Sequence, residues 1–397
     1  MISLIINSGS SSLKFALINP KKKTRIVKGI FDRIGLKNSF LLIKYNNKET
    51  KTPMQIKSHY DCIQKIIDTL KKLNLIKNEK DITFIGHRVV HGGEIYNKAT
   101  IIDQKVISDI KHISSLAPLH NPHNLAGILA FKKALPKTPQ VAVFDTAFHQ
   151  TMDKTHYLYG LPLELYKKYK IRKYGFHGTS HKFVSQHATK YIKQPYKKLK
   201  IISCHMGNGI SLCAIKNGES IDTSMGLTPL EGPMMGTRSG SIDPAIIPYL
   251  MDKTHISAKE VDHFLNHECG IKGILKSSSD IRDVWELDKK GDQKARLVLD
   301  MLSKQVVGYI GNYTAQLEGL DLLIFTAGIG EGGWYVREDI CASLSFMGLE
   351  LDKVKNRNKE QDIKSPTIIS KKGSKVTVIV YPTDEELEIA IQASELL

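Results

Sequence analysis

Cysteine is scarce in this sequence, and its spacing excludes the small scaffolds that depend on it. The 397 residues contain five cysteines, an odd number, and no two of them form a Cys-x-x-Cys pair. A disulfide framework needs a denser, even set, and a zinc ribbon needs such pairs. His267 and Cys269 are close enough in sequence to share a metal ion, but no second ligand pair accompanies them. We therefore predict reduced thiols in a core and no structural zinc.

Long apolar runs are also missing. No stretch approaches the roughly 18 consecutive apolar residues of a membrane span. The amino terminus has no basic flank, and its apolar run is broken at Asn7, which is typical of a strand and not of a signal peptide. We expect a soluble, cytoplasmic protein that has no membrane partner.

Two common nucleotide-binding signatures are absent. The sequence has no Gly-x-x-x-x-Gly-Lys-Ser loop, and no Gly-x-Gly-x-x-Gly follows the first strand, which disfavours P-loop and Rossmann folds. Turns of Gly, Ser and Asn stand at residues 7–12 and 207–209 instead. Their backbone N–H groups can converge on phosphate oxygens, although ordinary hairpin turns have similar compositions.

Positive charge is what the sequence has in excess. Lys and Arg number 57 against 40 Asp and Glu, so the formal net charge is +17, which attracts anions such as nucleic acid or phosphorylated metabolites. The lysines form short scattered groups without interleaved aromatic residues, a pattern typical of solvated surface. We therefore predict no nucleic-acid partner, and a nucleic-acid binder is kept as a rival to be tested.

Strand and helix patterns alternate along the chain, which indicates an α/β fold. Apolar segments at residues 3–6 and 13–18 flank the first small-residue turn, and a comparable pattern returns at residues 200–215. We interpret the recurrence as an internal duplication with one hairpin in each half; two unrelated hairpins are the alternative.

Periodicity and turn residues predict the remaining elements. Helices are expected near residues 60–73, from an N-cap at Asn121 to about 135, and over 299–317. Strands are expected at 81–90, 140–144, 321–325 and 376–381, with a glycine turn at 328–333. A capping-box pattern at 383–386 opens a last helix that returns to the first domain. The predicted domains are 1–147 with 383–397, and 148–382.

Several polar residues occupy positions suited to chemistry. Arg88 and Arg238 lie in glycine-flanked turns, where a guanidinium can reach a carboxylate or phosphoryl group bidentately; a surface ion pair is the alternative. His120 and His177 have similarly tight surroundings, although a lone histidine is often structural. Asp145 ends an apolar strand, where aspartates of α/β enzymes face ligands or cap the next segment.

These residues belong to a series of motifs that runs from the first strand to the last third of the chain. The motifs are NSGSSSLK (7–14), GHRVVHGG (86–93), LAPLHNP (116–122), FDTAFH (144–149), YGFHGTSH (174–181), HMGNG (205–209), DTSMGLTPLEG (222–232), MMGTRSG (234–240) and FTAGIGE (325–331). In this order they resemble the acetokinase family, within the fold group of acetate and sugar kinases, Hsp70 and actin.

The resemblance implies a fold and an activity. It implies two duplicated domains of the actin-like ATPase (ribonuclease H-like) type with a central cleft. The first would be the acid and phosphate side, and the second would bind nucleotide. The implied reaction is reversible, direct transfer of the γ-phosphoryl group of ATP to acetate, giving acetyl phosphate and ADP, with Mg²⁺ (or Mn²⁺) and a homodimeric assembly.

The resemblance also implies roles for individual residues. The catalytic group would be Arg88, His120, Asp145, His177 and Arg238. The acid would be bound by Arg88, Val90, Leu119, Phe176 and Pro229. The nucleotide would be bound by Ser12, Lys14, His205, Gly207, Asn208, Gly209, Asp280, Ile281, Arg282, Gly328, Ile329, Gly330 and Gly332. The metal would be held by Asn7 and Glu385.

Two departures from the family pattern concern the nucleotide side. Gly332-Gly333 stands where relatives usually have Asn-Ser, and Ser241 stands where an aspartate is common. We predict altered nucleotide affinity with catalysis retained. The rival readings are a propionate or butyrate kinase with the same chemistry, and an ATP-driven binding module of the Hsp70 or actin type that lacks a small-acid site.

Overall fold

A computed structural model describes residues 1–357 and 363–397. The chain forms two compact units: unit 1 comprises Met1–Phe148 and Asp384–Leu397, and unit 2 comprises His149–Thr383. None of the described helices is both long and apolar enough to cross a membrane.

The strands alternate with helices throughout. The strands are β1 Ser3–Ser8, β2 Ser12–Asn19, β3 Thr24–Asp32, β4 Phe40–Tyr45, β5 Lys48–Pro53, β6 Phe84–Val89, β7 Thr100–Ile101, β8 Gln140–Phe144, β9 Ile201–Met206, β10 Ile210–Lys216, β11 Glu219–Thr223, β12 Leu322–Thr326, β13 Thr367–Ile368 and β14 Thr377–Val380. The α-helices are α1 His59–Lys72, α2 Gln104–Ile113, α3 Asn121–Ala134, α4 Lys154–Tyr157, α5 Leu163–Tyr169, α6 Gly178–Tyr191, α7 Ile246–Thr254, α8 Ala258–His267, α9 Gly270–Leu275, α10 Ile281–Asp288, α11 Gln293–Leu317, α12 Ala327–Gly332, α13 Trp334–Ser343, α14 Lys353–Arg357 and α15 Glu385–Ser394. Short 3-10 helices are Glu79–Asp81, Ser114–Leu116, Ala147–Thr151, Tyr196–Lys198 and Ser345–Met347.

Unit 1 is built on an eight-stranded sheet with the order β5-β4-β3-β2-β1-β6-β8-β7. The strands β1, β6 and β8 are parallel, so their carboxyl ends meet at one edge of the sheet. Strand β1 is buried on both faces because its side chains alternate: Ile5 packs under α15, whereas Leu4 and Ile6 join the core beneath α1. Gly86 permits the close approach of α15, because a Cβ there would lie 2.9 Å from Ile389.

Unit 2 repeats the same topology. Its six-stranded sheet has the order β11-β10-β9-β12-β14-β13. The β9–β10 hairpin corresponds to β1–β2, and the parallel strands β9, β12 and β14 correspond to β1, β6 and β8. Each sheet also carries a short antiparallel strand beyond its third parallel strand. The predicted α/β class and the predicted duplication are therefore confirmed.

Three local predictions were wrong, each because a side chain forms a contact that the local pattern does not reveal. Asn121 is inside α3 and does not cap it, because its side chain binds the backbone of His91. The predicted glycine turn is the helix α12, whose first N–H, at Ala327, donates to the Glu331 carboxylate. The last helix is capped by Asp384 and not by Thr383.

Candidate active site

Unit 1 places Arg88 and Asp145 together at the carboxyl edge of its sheet. Arg88 belongs to β6 and not to a turn, so this part of the prediction was wrong, and Asp145 directly follows β8. The Arg88 Nε lies 3.0 and 3.1 Å from the two Asp145 carboxylate oxygens, and its Nη2 lies 2.5 Å from Oδ2. Asp145 is 1% exposed, whereas the Arg88 side chain keeps 20% of its surface. This pair presents one partly accessible guanidinium that is fixed by a buried carboxylate.

Glu385 is the second carboxylate beside Arg88. Its Oε2 lies 3.6 Å from the Arg88 Nε. Burial alone lowers the pKa of Arg88, but the Asp145 and Glu385 carboxylates outweigh it and raise that pKa above its ordinary value. The neighbouring Glu386 is engaged elsewhere, since its Oε2 accepts a 2.9 Å hydrogen bond from Arg25. Of the two adjacent glutamates, Glu385 is the one within ion-pair distance of Arg88.

The residues predicted to hold a metal offer hard oxygen donors. Asn7, in β1, follows Ile6, which pairs with His87 of β6, so Asn7 lies at the same sheet edge as Arg88. Among the described residues, no group of three or more His, Cys, Asp or Glu side chains converges as a cage for a metal ion. One amide and one carboxylate fit Mg²⁺, which commonly takes one or two protein oxygens and completes its shell with water and substrate phosphates.

Two buried asparagines that the sequence interpretation did not assign to the site shape this edge. Asn124 donates from Nδ2 to the Ser8 carbonyl at 2.8 Å and accepts from the Val90 N–H at 3.0 Å. Asn121 binds both backbone groups of His91 in the same way. Both amides project from α3 and replace the hydrogen bonds that these strand ends would otherwise lack. The only local sequence signal was two asparagines three apart at the start of the helix.

The other predicted residues of unit 1 differ in exposure. Val90 is 7% exposed, whereas Leu119 is 54% exposed. His120 precedes α3 and occupies its cap position without a side-chain cap bond. Ser12 and Lys14 belong to β2, next to the small-residue turn in which the Gly9 N–H donates to the Ser12 carbonyl at 2.8 Å.

Unit 2 brings Arg238 and His177 together beside Gly209. A Cβ at Gly209 would lie 3.2 Å from the Arg238 Nη1 and 3.4 Å from the His177 Cε1. The absence of a side chain therefore lets both cationic or donor groups approach the turn after β9. His177 itself has a left-handed backbone (φ 56°) immediately before α6, a conformation that is uncommon for a residue with a side chain.

Arg238 has a different electrostatic setting from Arg88. Its Nη1 contacts the Pro229 carbonyl at 3.4 Å and the Met235 sulfur at 3.7 Å. No carboxylate of the described chain lies within ion-pair distance of it. Burial lowers the pKa of its guanidinium. A partly desolvated cation without a counter-charge favours binding of an anion.

A chain of histidines and serines lies behind His177. Its Nδ1 is 2.9 Å from the Ser211 hydroxyl, which is 2.8 Å from Nε2 of His181, and Nδ1 of His181 is 2.6 Å from the Ser203 hydroxyl. Burial holds the pKa of His181 well below its ordinary value, so this ring is neutral. The His177 ring also stacks on His205, with centroids 4.0 Å apart. This network, which local motifs did not indicate, holds the orientation of His177.

A cavity of 590 Å³ in unit 2 collects most of the predicted nucleotide-binding residues. Its lining includes Gly207, Asn208, Asp280, Ile281, Arg282, Gly328, Ile329 and Gly332. His205 stacks on His177, Gly209 adjoins Arg238, and Gly330 is buried with its carbonyl bound to Arg337.

Both departures in the predicted nucleotide region have visible structural consequences. A Cβ at Gly333 would lie only 2.7 Å from the Ile329 carbonyl, so glycine permits the tight exit from α12. The Ser241 hydroxyl accepts from the Gly232 N–H at 3.1 Å and lies 3.2 Å from the Tyr309 hydroxyl. Ser241 therefore supports the loop before Arg238 without a charge.

The cavity wall also holds aromatic residues that the sequence interpretation missed. Trp285 stacks on Tyr335 with centroids 4.3 Å apart and an interplanar angle of 6°, and Trp334 meets Trp285 edge-on at 5.2 Å. All three side chains line the cavity. Trp334 and Tyr335 are adjacent in sequence, but Trp285 lies about 50 positions earlier, so no local pattern indicated the cluster.

Comparison with known proteins shows which family has this sequence and fold. The model of the acetokinase family matches residues 2–391. The acetate kinase of Halothermothrix orenii is 50% identical over 397 residues, covering 99% of each chain, and that of Acetivibrio thermocellus is 48% identical over 399 residues, covering 99% of this chain and 98% of its own.

Comparison with solved structures agrees with the sequence comparison. The crystal structure of Porphyromonas gingivalis acetate kinase has a TM-score of 0.95 at 40% identity and covers 100% of this chain and 99% of its own. A propionate kinase from Francisella tularensis has a TM-score of 0.92 at 42% identity, covering 98% of each chain. Because sequence and fold agree over nearly the full length, this chain belongs to the acetokinase family.

Proposed function

We propose that this protein is an acetate kinase, which reversibly transfers the γ-phosphoryl group of ATP to acetate and forms acetyl phosphate and ADP. Its full-length relatives at 48–50% identity are acetate kinases, which favours acetate over the propionate of one solved relative. The observation that carries the proposal is the pair of differently placed arginines: Arg88 is paired with Asp145, and Arg238 has no carboxylate partner among the described residues.

The two arginines supply the positive charge that phosphoryl transfer needs. The transition state spreads negative charge over the equatorial oxygens of the phosphoryl group, and catalysis consists mainly of alignment and electrostatic stabilisation. Arg238, desolvated and without a counter-charge, is suited to bind these oxygens. Arg88 holds the acetate carboxylate, which is already ionised and needs no strong base. Asp145 orients Arg88.

His177 donates a hydrogen bond to the transferring group in this proposal. The Ser211 contact at Nδ1 fixes its ring, so Nε2 is the nitrogen that faces the substrate. His120 contributes a second donor on the acid side. Neither histidine needs to change its charge during the reaction, because no proton is transferred between acetate and ATP.

The acid is bound by Val90, Leu119, Phe176 and Pro229 around its methyl group. One methylene changes the transition-state energy in such a pocket by only about 1–3 kcal/mol. Some turnover of propionate is therefore expected, with acetate preferred.

ATP binds in the cavity of unit 2, with its phosphates toward the Gly207–Gly209 turn and Arg238. Ser12 and Lys14, in the matching hairpin of unit 1, contact the terminal phosphate. Asn7 and Glu385 would hold Mg²⁺, or Mn²⁺ in its place, and the bound ion neutralises phosphate charge. The enzyme is cytoplasmic, where ATP is available and the five thiols stay reduced.

A homodimer is the proposed assembly, by analogy with the family. Sedimentation velocity at micromolar concentration tests it: a species of twice the 44.5 kDa chain mass is expected, and a persistent monomer would contradict this part of the proposal.

Trapping of acyl phosphate with hydroxylamine tests the activity. With saturating ATP and Mg²⁺, acetate should give the most hydroxamate, propionate less and butyrate least. Removing the guanidinium of either Arg88 or Arg238 should lower kcat by about 10³-fold or more, since one such group stabilises charge formed in the transition state. Arg88→Ala, Arg88→Lys and Arg238→Ala are the informative variants.

Arg33→Ala is the matched control, because Arg33 is an exposed arginine outside both sets of site residues. It should retain parental activity. Folded protein that forms no hydroxamate from any acid would indicate a binding module instead. Faster turnover of propionate or butyrate than of acetate would identify one of the alternative kinases.

A further inference from the structure

The aromatic cluster in the wall of the unit 2 cavity has no part in phosphoryl transfer as described above. It consists of Trp285, Trp334 and Tyr335, which we call the aromatic wall. The chain contains only two tryptophans, and both belong to it. A residue type this rare, found twice in one cavity, calls for an explanation beyond general packing.

Packing does account for two of its members. Trp334 is 9% exposed and Tyr335 is 7% exposed. The Tyr335 hydroxyl donates to the Ile281 carbonyl at 3.0 Å, which ties α13 to the start of α10. The Arg357 guanidinium lies 4.8 Å from the ring centroid of Trp334. These contacts hold both rings rigidly.

Trp285 is different because it is only partly buried. Tyr335 stacks on one of its faces, and Trp334 meets it edge-on. The rigid neighbours therefore preset the plane of the indole, and a planar ligand that enters the cavity can stack on the face opposite Tyr335. The Nζ of Lys289, on a flexible side chain, lies 5.9 Å from the ring centroid.

Two polar side chains of the same wall, Asp280 and Arg282, bind each other. The Asp280 carboxylate caps α10 at the Arg282 N–H (2.9 Å) and forms a bidentate pair with the Arg282 guanidinium. A carboxylate that already accepts these hydrogen bonds has little capacity left to accept others from the edge of a base. Stacking has little edge specificity, since every base has a π-face.

We propose that Trp285 is the stacking surface for the nucleotide base, and that this enzyme selects a purine by ring area more than by its edge. The inference rests on the proposed function, since it assumes that the cavity binds the nucleotide. ATP, GTP and ITP should then be used with specificity constants within about tenfold of one another. CTP and UTP, with smaller rings, should be clearly poorer.

Intrinsic fluorescence provides a readout that is independent of activity. ADP should quench the emission of the parent protein with a saturable dependence on concentration. The Trp334→Phe variant, which keeps Trp285, should retain this response, and Trp285→Phe should lose most of it. A response that is lost in Trp334→Phe but kept in Trp285→Phe would overturn the assignment.

Kinetics test the same residue. Trp285→Ala should raise the KM for ATP by about 5- to 150-fold, which corresponds to roughly 1–3 kcal/mol of stacking at 1.4 kcal/mol per tenfold. The KM for acetate and kcat should stay within about twofold of the parent, and Trp285→Tyr should restore most of the affinity. Phe346→Ala removes an aromatic ring that is 79% exposed outside the cavity and should change none of these values.

Calorimetry separates the two levels of inference. If the folded parent protein binds no ADP, the proposed function fails with the inference. If Trp285→Ala binds ADP as tightly as the parent does, the inference alone fails. A preference for ATP over GTP of more than a hundredfold would contradict selection by ring area.

Discussion

Arg88 and Arg238 carry the same charge in opposite electrostatic surroundings. Arg88 is paired with a carboxylate that is 1% exposed, so removal of Arg88 would take an ion pair from a buried negative charge. Arg238 has no such partner in the part of the chain that the structure describes, and its burial opposes its charge. The two residues should therefore contribute to stability with opposite signs.

Denaturant unfolding of two variants tests this difference. Arg88→Ala should lower the free energy of unfolding by about 3 kcal/mol, because the buried Asp145 carboxylate loses its ion pair with Arg88. Arg238→Met should leave it unchanged or raise it by about 1 kcal/mol, because a desolvated charge is replaced by an apolar chain of similar length. A loss of stability in Arg238→Met as large as that in Arg88→Ala would show that Arg238 has a structural partner.

Sequence pattern was informative for residues whose surroundings are local. The glycines around Arg88 and Arg238, and the strand end before Asp145, marked these positions before any coordinates were known. Asn121 is a counter-example. A helix cap was predicted from its neighbours, but its side chain accepts a hydrogen bond from the backbone N–H of His91, 30 residues earlier. Trp285 and Tyr335 form their stack across two helices, and composition alone cannot reveal such a pairing.

At the scale of elements, α12 shows how glycines can form a helix. Four of the residues from 327 to 333 are glycines, which have low helix propensity. The helix forms because Glu331 accepts from its first N–H, and because the Arg337 guanidinium binds the carbonyls of Gly330 and Glu331. Long-range side chains thus override the propensity that predicted a turn.

Gly333 gives a test at this scale. Gly333→Ala places a Cβ 2.7 Å from the Ile329 carbonyl, so the exit from α12 must shift beside the cavity. The KM for ATP should rise severalfold and the melting temperature should fall by a few degrees, with kcat little changed. Gly311→Ala is the matched control: it lies within α11, and nothing lies within 4 Å of the added Cβ. The free energy of unfolding of Gly311→Ala should rise by about 0.5–1 kcal/mol. Equal changes in melting temperature and in the KM for ATP in the two variants would contradict the prediction.

At the scale of the whole molecule, each unit contains a buried histidine whose protonation in acid would destabilise the fold. Burial lowers the pKa of His87, in unit 1, and of His149, in unit 2, from 6.5 to about 4. The unfolded chain therefore binds more protons than the folded chain below pH 6.5, so stability is lost as the pH falls from 6.5 toward 4. Between pH 6.5 and 5 each histidine should account for about 2 kcal/mol.

Unfolding curves measured from pH 7 to 5 check this prediction. His87→Leu should flatten the pH dependence, although its absolute stability at pH 7 should be lower because the Gln140 amide loses its partner. His112→Ala, at an exposed position, should keep the parental slope. An unchanged slope in His87→Leu would show that His87 does not titrate as described.

Because the last helix packs on the first sheet, unit 1 cannot complete its fold until the end of the chain has been synthesised. Unit 2 is one continuous stretch of 235 residues (149 to 383), whereas unit 1 needs α15 to cover Ile5 and Phe84. At about 5–20 residues per second, the ribosome needs roughly 10–50 s to synthesise that stretch. Throughout this interval the face of the unit 1 sheet that contains Ile5 and Phe84 lacks its covering helix, so unit 1 completes its core only after the whole of unit 2 has been synthesised.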